Sequence, residues 1–342
     1  MSDFPEIISI ATAKKPFCWG VDVGGTGIKV GLVDAAGKTL AFEKLPTREP
    51  EGPTSAMQRV AAVMFDFNEQ LNLGEGVVAG IGLGAPGPMD VPSGKLVAPP
   101  QLPTWWGFGI RDSLAKLTGL PVVFLNDANA AAYGEFWLGT NEKATSMLLL
   151  TLGTGIGGGI VHEGELINGV NSFGGECGHA LVDPSPSAQL CAWGGGRGHL
   201  EAYASASGIA VRTRQRLLEG ARSSLRNLQG GDSELTSLRI YEAALAGDPL
   251  ALEMIDDTAR WLGIGITTFV HTLDPGVVVL GGAMDFGGAG SPLGERFLSA
   301  VRDEFKRHTF DYVYKGTTIQ FAKLGADAGY LGAAGYARKQ FI

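Results

Sequence analysis

The amino-acid sequence predicts an α/β protein made of two similar halves that face each other across a cleft. Three observations carry this. The chain has 342 residues, which at about 100 to 200 residues per domain means two domains or one large one. Apolar runs of strand length alternate with segments of helical period throughout. One pattern also occurs twice: an apolar strand, a Gly-Thr-Gly turn, a second strand and a Gly turn, with Gly24 and Gly153 placed 129 residues apart.

In order, Cys18–Asp22 reads as a strand, Gly24-Gly25-Thr26-Gly27 turns the chain, Ile28–Val33 alternates as a second strand, and Thr39–Leu45 follows the Ala36-Gly37 turn as a third. Ser55–Asn72 carries Met57, Val60, Ala61, Met64, Phe65 and Leu71 near helical spacing. Val77–Gly84 is a strand ended by Ala85-Pro86-Gly87-Pro88, and Val122–Leu125 is another, running into Asn126-Asp127 and a helix over Ala128–Leu138. The second unit has Met147–Leu152, the Gly153-Thr154-Gly155 turn and a strand to His162 before Glu163-Gly164. Helices are expected over Leu200–Glu219, Glu234–Ala246 with Ser233 as N-cap, and Leu250–Leu273. Strand Val277–Leu280, the Gly281-Gly282 turn, a helix near Leu293–Phe305, strand Thr318–Lys323 and a helix over Asp327–Gln340 complete the chain. No Pro-rich or Ser-rich linker separates the halves, so a hinged cleft is expected, with Gly220–Asp232 as a flexible loop.

Composition narrows the function. Hydrophobic residues at 45% and charged residues at 18% exclude disorder as the main state. Lys+Arg 27 against Asp+Glu 35 leaves a net charge of −8 and no overall positive field for nucleic acid or anionic membranes, so phosphate recognition must be local. The arginines at 212, 214, 216, 222 and 226 form a basic run that reads as a solvated face, with a long anion as its alternative ligand. Cys18, Cys177 and Cys191 make no disulfide framework, the N-terminus lacks a basic signal region, and no apolar run reaches about 18 residues. A cytoplasmic protein is expected. Glycine, 52 of 342 residues, is roughly twice as frequent as usual and points to sites built from backbone.

The two Gly-Thr turns offer runs of backbone N–H groups with no Cβ in the way of a phosphate, and Asp22 just before the first is placed to bind Mg²⁺ through water. Neither turn matches GxxxxGK[ST], and Gly157-Gly158-Gly159 has no following helix, which argues against Walker A and dinucleotide sites. Asp127 at a strand end reads either as a helix cap or as a base able to accept a proton from an attacking hydroxyl. Glu176 and His179 stand three residues apart in a glycine-rich loop, and Cys191 to Glu201 forms a second such loop; polar side chains there suit a polyhydroxylated ligand.

These residues resemble the ROK family of bacterial sugar kinases and repressors, from about Trp19 to Ala337. Asp22-Val23-Gly24-Gly25-Thr26 is similar to its first phosphate motif, Leu152 to Gly157 to its second, Gly281-Gly282 to its adenosine-side turn, Asn126-Asp127 to its substrate and catalytic pair, and Glu176-Cys177-Gly178-His179 to its Glu-x-Gly-His element. The resemblance implies two actin-like (ribonuclease H-like) α/β domains with a mixed sheet each, 1–125 and 126–325, with helix 326–342 returning to the first. It implies an ATP-dependent hexose kinase, most of all a glucokinase, with Asp127 as base. Gly87, Asn126, Glu176, His179 and Glu201 would meet the sugar, and Asp22, Gly24, Gly25, Thr26, Gly153, Thr154, Gly155, Gly281 and Gly282 would meet Mg²⁺-ATP. A homodimer is implied too. Other hexoses (fructose, mannose, allose, N-acetylglucosamine, N-acetylmannosamine), polyphosphate as donor and a non-catalytic sugar-binding role are the alternatives. The family's repressors carry an N-terminal DNA-binding domain, and here about eighteen residues precede the first strand.

Two departures stand out. The family commonly has Cys-x-Cys-Gly-x-x-Gly-Cys-x-Glu, whose three cysteines and the Gly-His histidine hold a structural zinc. Here Trp193 and His199 stand for the second and third cysteines, with one extra residue between. His179, Cys191 and His199 are then three ligands where tetrahedral zinc needs four, and Cys177 would have to swing in. No structural zinc is expected, and packing around Trp193 must hold the loop. Gln101 stands near where many relatives have Asn before Leu-Pro, beside Trp106 in what resembles a sugar-side loop.

Overall fold

The computed structural model describes residues 5–140, 144–192, 196–228 and 235–342. The first Gly-Thr turn folds β2 (Gly27–Val33) antiparallel onto β1 (Phe17–Val23), with Val23 opposite Ile28, and β3 (Thr39–Pro46) pairs antiparallel with β2. Helix α1 (Gly52–Gln70) leads to β4 (Val78–Ala85), parallel to β1. A small ribbon of β5 (Met89–Asp90) and β6 (Lys95–Leu96) and helix α2 (Ile110–Thr118) precede β7 (Val122–Asn126), parallel to β4. Helix α3 (Asp127–Gly134) leads into the second sheet, where β8 (Met147–Leu152), β9 (Ile156–His162) and β10 (Glu165–Leu166) form an antiparallel meander. Then come α4 (Leu200–Ala204), α5 (Ala206–Leu218), α6 (Ser237–Leu245) and α7 (Pro249–Leu273). Strand β11 (Val277–Gly281) lies parallel to β8, and after α8 (Pro292–His308) and α9 (Asp311–Gly316), β12 (Thr318–Phe321) lies parallel to β11. Helix α10 (Ala328–Phe341) closes the chain.

The sheet orders are β3-β2-β1-β4-β7 and β10-β9-β8-β11-β12, with the same sequence of antiparallel and parallel pairs. The repeat around Gly24 and Gly153 is thus a repeat of a whole sheet topology. Parallel neighbours need crossovers, and helices supply most of them. Along β1 the side chains alternate: Phe17, Trp19, Val21 and Val23 pack outward with Met57, Val60 and Met64 of α1, while Cys18 joins Tyr330, Leu331 and Ala334 of α10. In the second half Leu148, Leu150 and Leu152 face a core with α5 to α8, and Met147 and Leu149 face Ala132 of α3.

Each sheet seats its inner helix on glycine. A Cβ on Gly82 of β4 would lie 1.8 Å from the Ala333 carbonyl oxygen of α10, and one on Gly159 of β9 would lie 2.5 Å from Cβ of Ala132 in α3. The two helices touch backbone to backbone, since a Cβ on Gly332 would lie 1.8 Å from the Ala130 oxygen. The order of layers is therefore sheet, α10, α3, sheet.

Several expectations are corrected. The single helix over Leu200–Glu219 is two, because Ser205 is extended and its hydroxyl caps α5 by accepting from Gly208 N at 3.0 Å. The helix expected to Leu138 passes into a π-helical turn at Glu135–Gly139. Strand Thr318–Lys323 ends at Phe321, because the Lys323 N–H turns to Glu135. Ser233 lies outside the described residues, and Thr236 caps α6. The arginine run is no uniform solvated face: Arg212 is buried, paired with Asp257 and bonded to Tyr203 O and Thr258 Oγ1, while Arg216 pairs with Glu253. Among the described residues no helix is long and apolar enough to cross a membrane.

Candidate active site

A cleft of about 1000 Å³ lies between the halves. Asp22, Gly24 and Gly87, with Asn126 and Asp127 at the end of β7 and the start of α3, line it from the side of the first sheet, and Gly153, Thr154, Gly155, Glu176, His179, Glu201 and Gly282 from the side of the second. Gly25, Thr26, Gly281 and Trp106 are not part of this lining, and the Trp106 indole N–H donates to Pro99 O at 3.0 Å.

The two Gly-Thr turns are closed alike: Gly24 N donates to Gly27 O at 2.9 Å and Gly153 N to Gly155 O at 3.0 Å. Thr47 braces the first, its N–H on Thr26 O and its hydroxyl on Gly24 O. At the carboxyl end of β7 the capping role falls to Asn126, whose Oδ1 accepts from Ala128 N at 2.9 Å and Asn129 N at 3.4 Å. Asp127 Oδ1 accepts from Ala128 N at 2.8 Å, and the residue lines the cleft. The Asn126 amide nitrogen faces Gly87, where a Cβ would lie 3.4 Å away.

Burial pushes the Asp127 carboxyl up to about 7, and the nearby charges of Asp22 and Glu176 push the same way against the Ala128 N–H. Asp22 is also raised, by burial and against the pull of Lys29. A half-buried carboxylate held above its ordinary range beside a phosphate-sized glycine turn is what a hydrated cation would relieve, so the residues present fit Mg²⁺.

Glu201 is nearly buried at 7% exposure. Its Oε2 accepts from Ile156 N at 2.8 Å and its Oε1 from the Cys191 thiol at 3.1 Å, so it ties the second Gly-Thr turn to the Cys191 loop. A Cβ on Gly155 would lie 2.3 Å from that carboxylate, which is why the turn needs glycine there. His179 Nδ1 lies 3.3 Å from His199 Nδ1, and these two with Cys191 Sγ fall within 4.8 Å of one another. Cys177 does not join them: it is buried against Gly158, its thiol pushed up to about 12. The described donors are one short of a closed tetrahedral zinc set. Trp193, expected to hold the loop, lies outside the described residues. Among the described residues the loop carries the bridges Leu181–His199 and Leu190–Arg197, and the Tyr203 hydroxyl is bonded to Asp183 at 2.6 Å and Gln189 N at 2.8 Å.

Sequence reasoning missed Thr151, Phe173 and the group Gly325, Ala326, Ala328 and Gly329, all of which line the cleft. Phe173, an exposed aromatic beside Gly174-Gly175, had a readable signal. The α10 segment had none, since only tertiary packing returns it to Asp22.

Duplicated mixed sheets with carboxylates and glycine turns meeting between them define the actin-like sugar kinase fold. The chain belongs to the ROK family, whose model matches residues 18–340. It is 35% identical over 321 residues to a glucokinase of Halalkalibacterium halodurans, with 94% of each chain covered. Its structure is similar to a ROK hexokinase from Thermus thermophilus, with TM-score 0.79, 32% identity and coverage of 95% and 98%. A ROK family glucokinase from Streptomyces griseus in complex with glucose and AMPPNP matches with TM-score 0.68 and 31% identity, covering 94% and 99%.

Proposed function

We propose that the protein is a glucokinase-like hexose kinase that transfers the γ-phosphoryl of ATP to the 6-hydroxyl of glucose. The observation that carries this is Asp127 in the lining of the cleft, its carboxyl pushed up to about 7, together with residues of both Gly-Thr turns. Asp127 takes the proton of the 6-hydroxyl as that oxygen attacks the γ-phosphorus and the bond to the ADP oxygen breaks. Backbone N–H groups of Gly24 to Thr26 and Gly153 to Gly155 take up phosphate charge, with Gly281-Gly282 on the adenosine side. Mg²⁺, held through water by Asp22, neutralises phosphate charge when bound. Asn126, Glu176, His179 and Glu201 orient the sugar hydroxyls near Gly87. The lobes are 1–125 with 326–342, and 126–325, and the protein acts as a cytoplasmic homodimer.

A coupled ADP-release assay with Mg²⁺-ATP across glucose, mannose, fructose, allose and the two N-acetylhexosamines tests the reading. Highest kcat/KM with glucose is expected; turnover of another sugar alone would reassign the substrate, and turnover of none would overturn the reading. The profile of kcat/KM against pH should fall on the acid side of about 7, approaching tenfold per unit, because protonated Asp127 cannot accept the hydroxyl proton. A flat profile from pH 6 to 8 would assign the base elsewhere.

The three donors His179, Cys191 and His199, without a fourth among the described residues, are not expected to keep a structural zinc. Dialysis against EDTA, followed by restoration of Mg²⁺, should leave the melting temperature and turnover unchanged. One zinc per chain surviving dialysis, or a lowered melting temperature, would show the opposite.

A further inference from the structure

Glu135 is a carboxylate that the proposed reaction does not use, and it is fully buried at 0% exposure. It begins the π-helical turn at the end of α3, whose first residue is Asp127. Its Oε1 and Oε2 each accept from Lys323 N at 3.0 Å, and Oε1 also accepts from Leu324 N at 2.7 Å. Two consecutive backbone N–H groups thus solvate a buried charge that would otherwise be costly. The turn wraps the carboxylate so closely that a Cβ on Gly139 would lie 2.1 Å from Oε2.

The location matters more than the bonds. The chain passes between the sheets twice, once from β7 through α3 to β8 and once from β12 to α10. Glu135 lies on the first passage and its partners lie on the second, just before Gly325, Ala326, Ala328 and Gly329 on the cleft wall. At Gly329 a Cβ would lie 2.5 Å from Asp22 Oδ2. One side chain therefore links, through α3 and through the start of α10, the two carboxylates of the cleft.

We propose that Glu135 is a positioning residue, a pin that holds the two interdomain passages in register and so sets Asp127 relative to Asp22 and the bound phosphates. The catalytic consequence rests on the kinase reading above; the pin itself does not. A Gln at 135 has one acceptor oxygen and would face an N–H with its own amide N–H groups. In ligand-free Glu135→Gln, amide exchange is expected to speed up both in 322–329 and in the segment around Asp22. With glucose and Mg²⁺-ATP, kcat should fall at least about tenfold while KM for glucose stays within about threefold, the pattern of a lost transition-state geometry. Gly139→Ala, which pushes on the same carboxylate while leaving it in place, should give the same pattern and decides the matter if Glu135→Gln does not fold. Wild-type kcat in a folded variant, or faster exchange confined to 322–325 with the Asp22 segment unchanged, would overturn the proposal. If the unmutated protein phosphorylates no sugar, the kinase reading fails, and the exchange result still decides whether Glu135 is a pin.

Discussion

Asp127→Asn is expected to lower kcat by about 10² to 10⁴, with KM for glucose changed only a few-fold, because a base that acts in the transition state contributes little to ground-state binding. The substitution is conservative for the fold. An Asn oxygen can still accept from Ala128 N as Asp127 Oδ1 does, and helix capping rests on the neighbouring Asn126. What the amide cannot do is accept the hydroxyl proton. The acid limb of the pH profile should vanish along with most of the activity, since the group raised to about 7 is gone. The mutant removes one of the negative charges that crowd the cleft floor, so a melting temperature equal to or above that of the unmutated protein is the expected companion result. Unchanged kcat would end the assignment of Asp127 as base.

Gly82→Ala should be among the most damaging single methyls at the described glycines. Its Cβ would fall 1.8 Å from the oxygen and 2.3 Å from the carbon of the Ala333 carbonyl, which belong to the backbone of α10 and cannot rotate away. The helix has to lift, and it is clamped on its other side by α3, where Gly332 meets Ala130. A cost of about 3 kcal/mol or more follows from overpacking of this kind, or a fall in melting temperature of roughly 4 °C or more for a chain of this size. Gly276→Ala, where nothing lies within 4 Å of the added Cβ, is the control and should stay within about 0.5 kcal/mol. Equal melting temperatures for the two variants would mean that α10 is not seated on β4 through glycine.

Much of this architecture was legible in the sequence because it is local. The short apolar runs Cys18–Asp22 and Met147–Leu152, the alternation in Ile28–Val33, the two Gly-Thr turns and the strand end at Asn126-Asp127 are each decided within a few residues, by side-chain pattern and by the φ/ψ freedom of glycine. Since both Gly-Thr turns end the first strand of a sheet, and Asp127 follows the last strand of the first sheet, the turn and carboxylate residues of the cleft could be collected before the fold was seen, though Thr151, Phe173 and the start of α10 were not. Resemblance to the ROK family then supplied roles that spacing alone could not.

Other features were decided only by tertiary structure. Nothing near Asn126 says that it takes both the Ala128 and the Asn129 N–H groups while Asp127 shares only the first. Arg212 reads as one more cation on a solvated face until Asp257, 45 residues away, and Thr258 meet it in the interior. Glu135 reads as a stray charge in an apolar helix until Lys323 and Leu324, 188 and 189 residues on, bring it their N–H groups. The same holds for Cys191, whose thiol finds Glu201 through a loop that has lost cysteines. Propensity and periodicity act over one turn or one strand, whereas desolvation of a polar group is settled by whatever the rest of the chain places against it. The sequence by itself therefore determined the two sheets and the glycine turns, and the tertiary structure decided the partners of the buried charges and the return of α10 to Asp22.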